Sequence, residues 1–390
     1  MLRFLISLLL FWGGFCIYAE ELITVRVWLS DKEGCNYSVA HPEEFLSERS
    51  IARHKRDNID ISHNDLPISN QYKDAVSNIA NSVICHSNWL NTMVIECDST
   101  MVYEVENLPF VKRVEVLHKG EVVRSDKKAD FYSFASTKRH SIYGVAQPIS
   151  EIADVTRAHK RNNWGKGVFI AVLDDGFGGV DTLGQWFDFN RIKFAYDVVN
   201  PNGNIFREDD HGTAVLSVML TNRKGEFVGV APESDYALIR TEDIAFETPF
   251  EEDFFVRGLE IADSLGVDVV NVSLGFENVE DVTAVSCLAS EIAVKKGIKV
   301  VTSCGNKGEE GFTHPADAYG VIAVGGVDKD GKITDFASKE FVGGKYVAPK
   351  VKALASDVPI INGSGKIMSA YGTSFAAPAI SGAIAVKKDF

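Results

Sequence analysis

Four short segments set reactive side chains at the ends of apolar runs. Tyr371-Gly372-Thr373-Ser374-Phe375-Ala376-Ala377-Pro378 begins as a small-residue turn and continues as an apolar run to Val386. This pattern predicts a buried helix with Ser374 at its mouth. There, free backbone N–H groups and the positive end of the helix dipole face outward. A serine hydroxyl in that place can attack a carbonyl, and the negative charge that forms is stabilised. Val168 to Leu173 is a continuous apolar run, fit for a buried parallel strand, and it ends in Asp174-Asp175-Gly176. A carboxylate at such a strand end lies where the crevices of open α/β sheets form. Asp210-His211-Gly212-Thr213 opens a second apolar stretch and puts a histidine at a helix mouth. Asp174 or His211 alone reads equally well as a turn or helix cap. Their occurrence together with Ser374 points to chemistry. Ile298 to Ser303 reads as a further strand, ending in Cys304-Gly305-Asn306. The Asn306 amide could donate to an oxyanion, with the Ser374 N–H as second donor.

A nucleophilic serine needs a base, and the base needs a carboxylate to fix its tautomer and stabilise its charge. The order here is Asp, His, Ser. Chymotrypsin-like enzymes run His, Asp, Ser, and α/β-hydrolases run Ser, Asp, His. Gly372-Thr373-Ser374-Phe375-Ala376 also lacks the final glycine of a hydrolase elbow. At this point the chain resembles the subtilisin-like serine proteases, the subtilases. The carriers are AVLDDG at 171–176, HGT at 211–213, the Asn271-Val272-Ser273-Leu274-Gly275 strand, CGN at 304–306 and GTSFAAP at 372–378. The resemblance covers about residues 147–390, spanned by these anchors.

The resemblance implies a triad of Asp174, His211 and Ser374, with Asn306 in the oxyanion hole. Asp174 is preferred to Asp175 because it directly follows the apolar strand. Ser273, Leu274 and Gly275 would pair with an extended substrate. Ser303, Cys304 and Gly305 would line one wall of the pocket for the residue before the scissile bond. Lys307 would sit at its rim and disfavour basic side chains. Two positions depart from the family pattern: Ala214 where a second histidine is common, and Phe375 where methionine is usual. Sixteen residues follow Ser374, whereas subtilase domains usually continue further. The alternative reading is therefore an inactive or truncated subtilase homologue that acts as a peptide-binding protein.

The elements that must hold these residues are legible as an alternation. Strands are expected at 191–198, 235–240, 267–273, 298–303 and 320–327, with helices at 250–265, 281–296 and after His211. That pattern predicts an α/β, doubly wound parallel sheet covered by helices on both faces. Residues 20–118 read as a separate, small α+β domain. Strands are expected at 22–29, 82–87, 92–97 and 110–117, and helices at 41–56, 71–80 and 100–108. A β-α-β-β-α-β order of this kind is ferredoxin-like. Subtilase propeptides resemble it, and Phe45 to Arg53 with Leu66-Pro67 is similar to propeptides of secreted bacterial members. The resemblance implies a self-processing precursor inhibited by its own propeptide. Residues 119–146 are polar and read as an exposed linker open to cleavage, which leaves 147–390 as the catalytic domain.

Residues 1–19 have the pattern of a signal peptide: Arg3, an apolar run from Phe4 to Phe15, and Ala19 as the last residue before cleavage. A secreted or periplasmic location follows, with no membrane association after signal removal. Five cysteines remain, Cys35, Cys85, Cys97, Cys287 and Cys304, and their pairing is left open. No CxxC and no HExxH occurs among the nine histidines, so zinc hydrolysis has no support. His314-Pro315 reads as a loop feature. The formal charge of −14 argues against nucleic acid and anionic lipid as partners and leaves protein or peptide substrates. The chemistry requires no cofactor. Structural calcium is compatible with the resemblance, but no metal ligand is assigned, and Glu208, Asp209 and Asp210 read as a solvated acidic loop.

Overall fold

The computed structural model describes residues 21–120, 131–134, 141–245, 248–277 and 279–387. The signal expected over 1–19 and most of the linker expected over 119–146 lie outside the described residues. The larger unit is built on a seven-stranded sheet. Its order is Val351–Leu354, Ile322–Val327, Lys299–Ser303, Val269–Val272, Phe169–Asp174, Asp235–Arg240, Ile192–Asp197. Every neighbouring pair is parallel. Successive side chains of a strand point to opposite faces, and both faces are covered here. Ile170 and Val172 enter the core shared with helices His211–Leu220 and Thr373–Val386. Phe169, Ala171 and Leu173 enter the core shared with helices Glu251–Leu265 and Val285–Lys295. This is the doubly wound α/β fold expected for a subtilase.

The smaller unit is a four-stranded antiparallel sheet in the order Ser82–Ser87, Thr92–Asp98, Leu22–Leu29, Val111–Lys119. Val25, Val27, Met93 and Ile95 face its own helices, together with Tyr72, Val76 and Val105. The opposite face is buried as well. Trp89, Val94 and Leu117 share a core with Phe254, Phe255 and Leu259 of the larger unit. Arg26 is fully buried in this seam and bonds Glu115 of its own sheet at 2.9 Å and Asp253 at 2.6 Å. Arg53 pairs with Asp263, and Lys296 with Asp65. Ser87 Oγ and the Trp89 N–H both donate to Glu260, at 2.6 and 2.9 Å.

Several element ends differ from expectation for local reasons. The helix expected from residue 41 starts at Glu48 after a separate turn at Pro42–Glu44. Ser47 is its N-cap and accepts from the Ser50 N–H at 3.1 Å. The helix expected from residue 281 starts at Val285, because Asp281 sits at φ 63°, outside helical space. Within the stretch read as linker, Tyr132–Ser133 forms a strand on Ile367–Ala370, next to Val358–Ile361. Edge strand Val351–Leu354 and the hairpin Glu340–Val342/Lys345–Val347 are further elements absent from the expected pattern.

Candidate active site

Asp174 is the last residue of its strand and is fully buried. His211 is the first residue of its helix. The neighbouring loop sets this start: Asp209 Oδ1 accepts from the His211 N–H at 3.0 Å, and Asp210 Oδ2 accepts from the Gly363 N–H at 2.7 Å. Gly212 then permits close approach, since a β-carbon there would overlap the Gly176 carbonyl oxygen and crowd Asp174. The result is a hydrogen bond of 2.7 Å between His211 Nδ1 and Asp174 Oδ1. That contact fixes the ring and leaves Nε2 as the acceptor on its far side. Glu208 approaches Arg240 at 3.7 Å, so the three carboxylates of this loop have three separate partners.

Burial disfavours the charged imidazole of His211, but the charge and bond of Asp174, with Asp175 and Glu242 nearby, push its pKa up to about 10. Asp175 is buried beside Asp174. Burial, and then the Asp174 charge, push its carboxyl well above the usual range.

Ser374 occupies the first turn of helix Thr373–Val386. Its Oγ donates to the Ser273 carbonyl at 3.0 Å. Among the described residues no hydrogen bond joins it to His211 Nε2. The next residue, Phe375, has its ring 5.4 Å from the His211 ring, centroid to centroid. A buried chain of polar groups sets the position of the Ser374 helix. Ser381 Oγ donates to Asn271 Oδ1 at 2.9 Å, Asn271 Nδ2 donates to Ser273 Oγ at 3.0 Å, and Ser273 Oγ donates to the Ser374 carbonyl at 2.7 Å.

Asn306 follows the strand Lys299–Ser303 on an exposed loop. Its Oδ1 accepts from the Thr373 N–H at 2.9 Å and from Thr373 Oγ1 at 3.0 Å. The carbonyl end of the amide is thereby held, and the Nδ2 donor end is turned the other way. Thr373 and Ser381 were not singled out as site residues from the sequence, and Asn271 and Ser273 were read only as part of the strand expected to pair with substrate. The Gly-Thr-Ser spacing was the available signal for Thr373; nothing local pointed to the buried chain.

The remaining site positions lie on two adjoining loops. Ser273 and Leu274 are buried, and Gly275 is exposed. Ser303 Oγ donates to the Leu274 carbonyl at 3.3 Å. Ser303 and Cys304 have buried side chains, so what they offer a ligand is backbone. Gly305 has φ 99°, a conformation open to glycine. The Lys307 ammonium is paired with Glu277. The rim lysine is therefore not a lone charge, and its expected discrimination against basic side chains is reduced.

Residues 165–390 match the model of the subtilase family, and residues 24–131 match the peptidase S8 propeptide domain of Bacteroidota. Among curated proteins, the chain is 26% identical over 300 residues to the thermostable alkaline protease of Halalkalibacterium halodurans, covering 75% of each chain. It is 27% identical over 323 residues to subtilisin NAT of Bacillus subtilis subsp. natto, covering 80% of this chain and 74% of that one. It is 31% identical over 239 residues to the major intracellular serine protease of Bacillus subtilis, covering 58% of this chain and 70% of that one.

Proposed function

Since this chain belongs to the subtilase family of serine endopeptidases and carries a propeptide domain, we propose that it is an exported enzyme that cuts its own precursor and then protein substrates, with Asp174, His211 and Ser374 as its triad. His211 Nε2 takes the proton of Ser374 as Oγ attacks the peptide carbonyl, and returns it to the leaving amine. Asp174 holds the imidazole through Nδ1 and stabilises the imidazolium. Asn306 Nδ2 and the Ser374 N–H bind the oxyanion. Ser273 to Gly275 receive the extended substrate backbone, and the backbone of Ser303 to Gly305 lines the pocket beside it. The reaction needs no cofactor, and any bound calcium would serve structure.

The observation that carries this reading is the 2.7 Å bond from buried Asp174 to His211, beside a serine at a helix mouth. The Ser374 bond to Ser273 is compatible with it, because nucleophile–base contacts are often long before substrate binds. The same bond favours a second reading, in which the serine is locked away and the protein binds peptides without turnover. Export is supported by the signal pattern of residues 1–19, and no helix among the described residues is long and apolar enough to cross a membrane.

A fluorophosphonate probe separates the two readings. It is expected to label wild type at Ser374 and to leave Ser374→Ala unlabelled. Ser374→Ala is also expected to accumulate as the uncut precursor in a protease-poor host. An unlabelled wild type, or normal maturation of the alanine variant, would sink the enzymatic reading.

A further inference from the structure

Apart from Asp174, His211 and Ser374, three different metal-binding side chains converge on one point. Cys287 belongs to helix Val285–Lys295, and His314 and Asp317 belong to the loop after Gly311. Cys287 Sγ lies 3.3 Å from His314 Nδ1 and 3.3 Å from Asp317 Oδ1. His314 Nδ1 lies 2.8 Å from Asp317 Oδ1. Zinc bonds of about 2.3 Å to sulfur and about 2.0–2.2 Å to nitrogen and oxygen, set tetrahedrally, hold their ligands roughly 3.4–3.6 Å apart. The two edges to sulfur would open by about 0.3 Å and the His314–Asp317 edge by about 0.6 Å to reach that spacing.

We infer that Cys287, His314 and Asp317 form a site for a borderline-soft divalent cation of the zinc class. Thiolate and imidazole together select such an ion over calcium or magnesium, which prefer oxygen. The Asp317 side chain is 43% exposed whereas that of His314 is 12% exposed, so the open side of the triangle faces solvent and a water completes the tetrahedron. Without metal, burial and then Asp317 push the Cys287 thiol well up, so the cation displaces a proton as it binds. His314 Nε2 is buried with no hydrogen-bond partner among the described residues. The ring therefore lacks the outer acceptor that strengthens metal-bound histidines, and affinity falls below that of a closed four-ligand zinc site.

The cation would act on the groove by tethering a loop. The His314 and Phe276 backbones exchange two hydrogen bonds, 2.9 and 3.0 Å, one residue beyond Gly275. Thr313 donates its N–H to the Cys304 carbonyl at 3.3 Å and crowds both Gly275 and Gly305. The bound ion would join this loop, wedged between the proposed substrate edge and the Asn306 loop, to helix Val285–Lys295.

The test uses the full chain in a Ser374→Ala background, stripped with a chelator, then titrated with Zn²⁺ by calorimetry and with Co²⁺ by absorption. One cation per chain is expected, with a thiolate-to-cobalt charge-transfer band in the near ultraviolet and a melting temperature that rises with metal concentration. Cys287→Ser is expected to abolish the band and to weaken binding by about 100-fold or more, beyond the loss of an outer partner. Asp317→Asn, on the exposed side, is expected to weaken binding at least about tenfold and stands as a second probe if Cys287→Ser does not fold. Asp174, Asp175 and His211 are the other described group close enough to hold a cation. Binding that survives both variants and disappears in Asp174→Asn overturns the assignment, as does the lack of a charge-transfer band in the parent protein.

Discussion

His211 meets a carboxylate on one side and an aromatic ring on the other. The carboxylate side decides its pH behaviour. A base must be neutral to accept a proton, and the folded-state pKa of His211 lies near 10. In kcat/KM profiles taken from neutral to strongly alkaline pH, activity is therefore expected to climb throughout and to level off only on the alkaline side. A maximum at neutral pH would contradict this. The sign for stability is the reverse. A raised histidine pKa stabilises the fold fully below the ordinary value, and that contribution fades as pH rises through about 10. Asp175 lies among the charges that raise His211, so Asp175→Asn is expected to move the rising limb to lower pH; an unmoved limb would mean that Asp175 adds no charge beside the imidazole. Asn306 is argued to act only on the oxyanion. Asn306→Ala is thus expected to lower kcat about 10²–10³-fold with little change in KM, and an unchanged kcat would remove it from the mechanism.

At the level of helices and strands, a single hydrogen atom positions the base. Gly212 lets the His211 helix sit against the end of the Asp174 strand. Gly212→Ala must push the two apart, and a displacement of about 1 Å at a catalytic group costs about 10²-fold. Steady-state kinetics should show that loss while far-UV circular dichroism stays native; full activity would mean that the contact is not needed. The strand that carries Asp174 was legible because a strand buried on both faces is apolar at every position, and its polar end stands out; Lys299–Ser303 was legible instead from its β-branched Val300-Val301-Thr302. Helix starts were less legible. The helix at Glu48 begins where Ser47 caps it, and the helix at Val285 begins after Asp281 turns left-handed; neither cause shows in apolar spacing. The strand at Tyr132–Ser133 was hidden by its length, since its pairing partner lies at Met368–Ser369, far along the chain. The bond between Asp174 and His211, and the grip of Thr373 on Asn306, likewise depend on how the chain closes and leave only residue types behind in the sequence.

Across the whole molecule, the small domain rests on the helices of the large one through buried charge. Arg26 neutralises Asp253 inside the seam. Removing one partner of a buried pair leaves the other uncompensated and costs about 3–5 kcal/mol. Arg26→Ala in a Ser374→Ala background is expected to expose the seam, seen as faster hydrogen exchange in Glu251–Leu265 and earlier proteolysis of the small domain. Exchange as slow as in the parent would show that the apolar contacts of Trp89 and Leu117 suffice alone. This seam has one more consequence. While the chain is continuous, each domain sees the other at a fixed, very high effective concentration. Once the segment between them is cut, the two are separate solutes governed by mass action. Under the proposed maturation, dilution rather than the cut would then be the event that parts the small domain from the helices it covers.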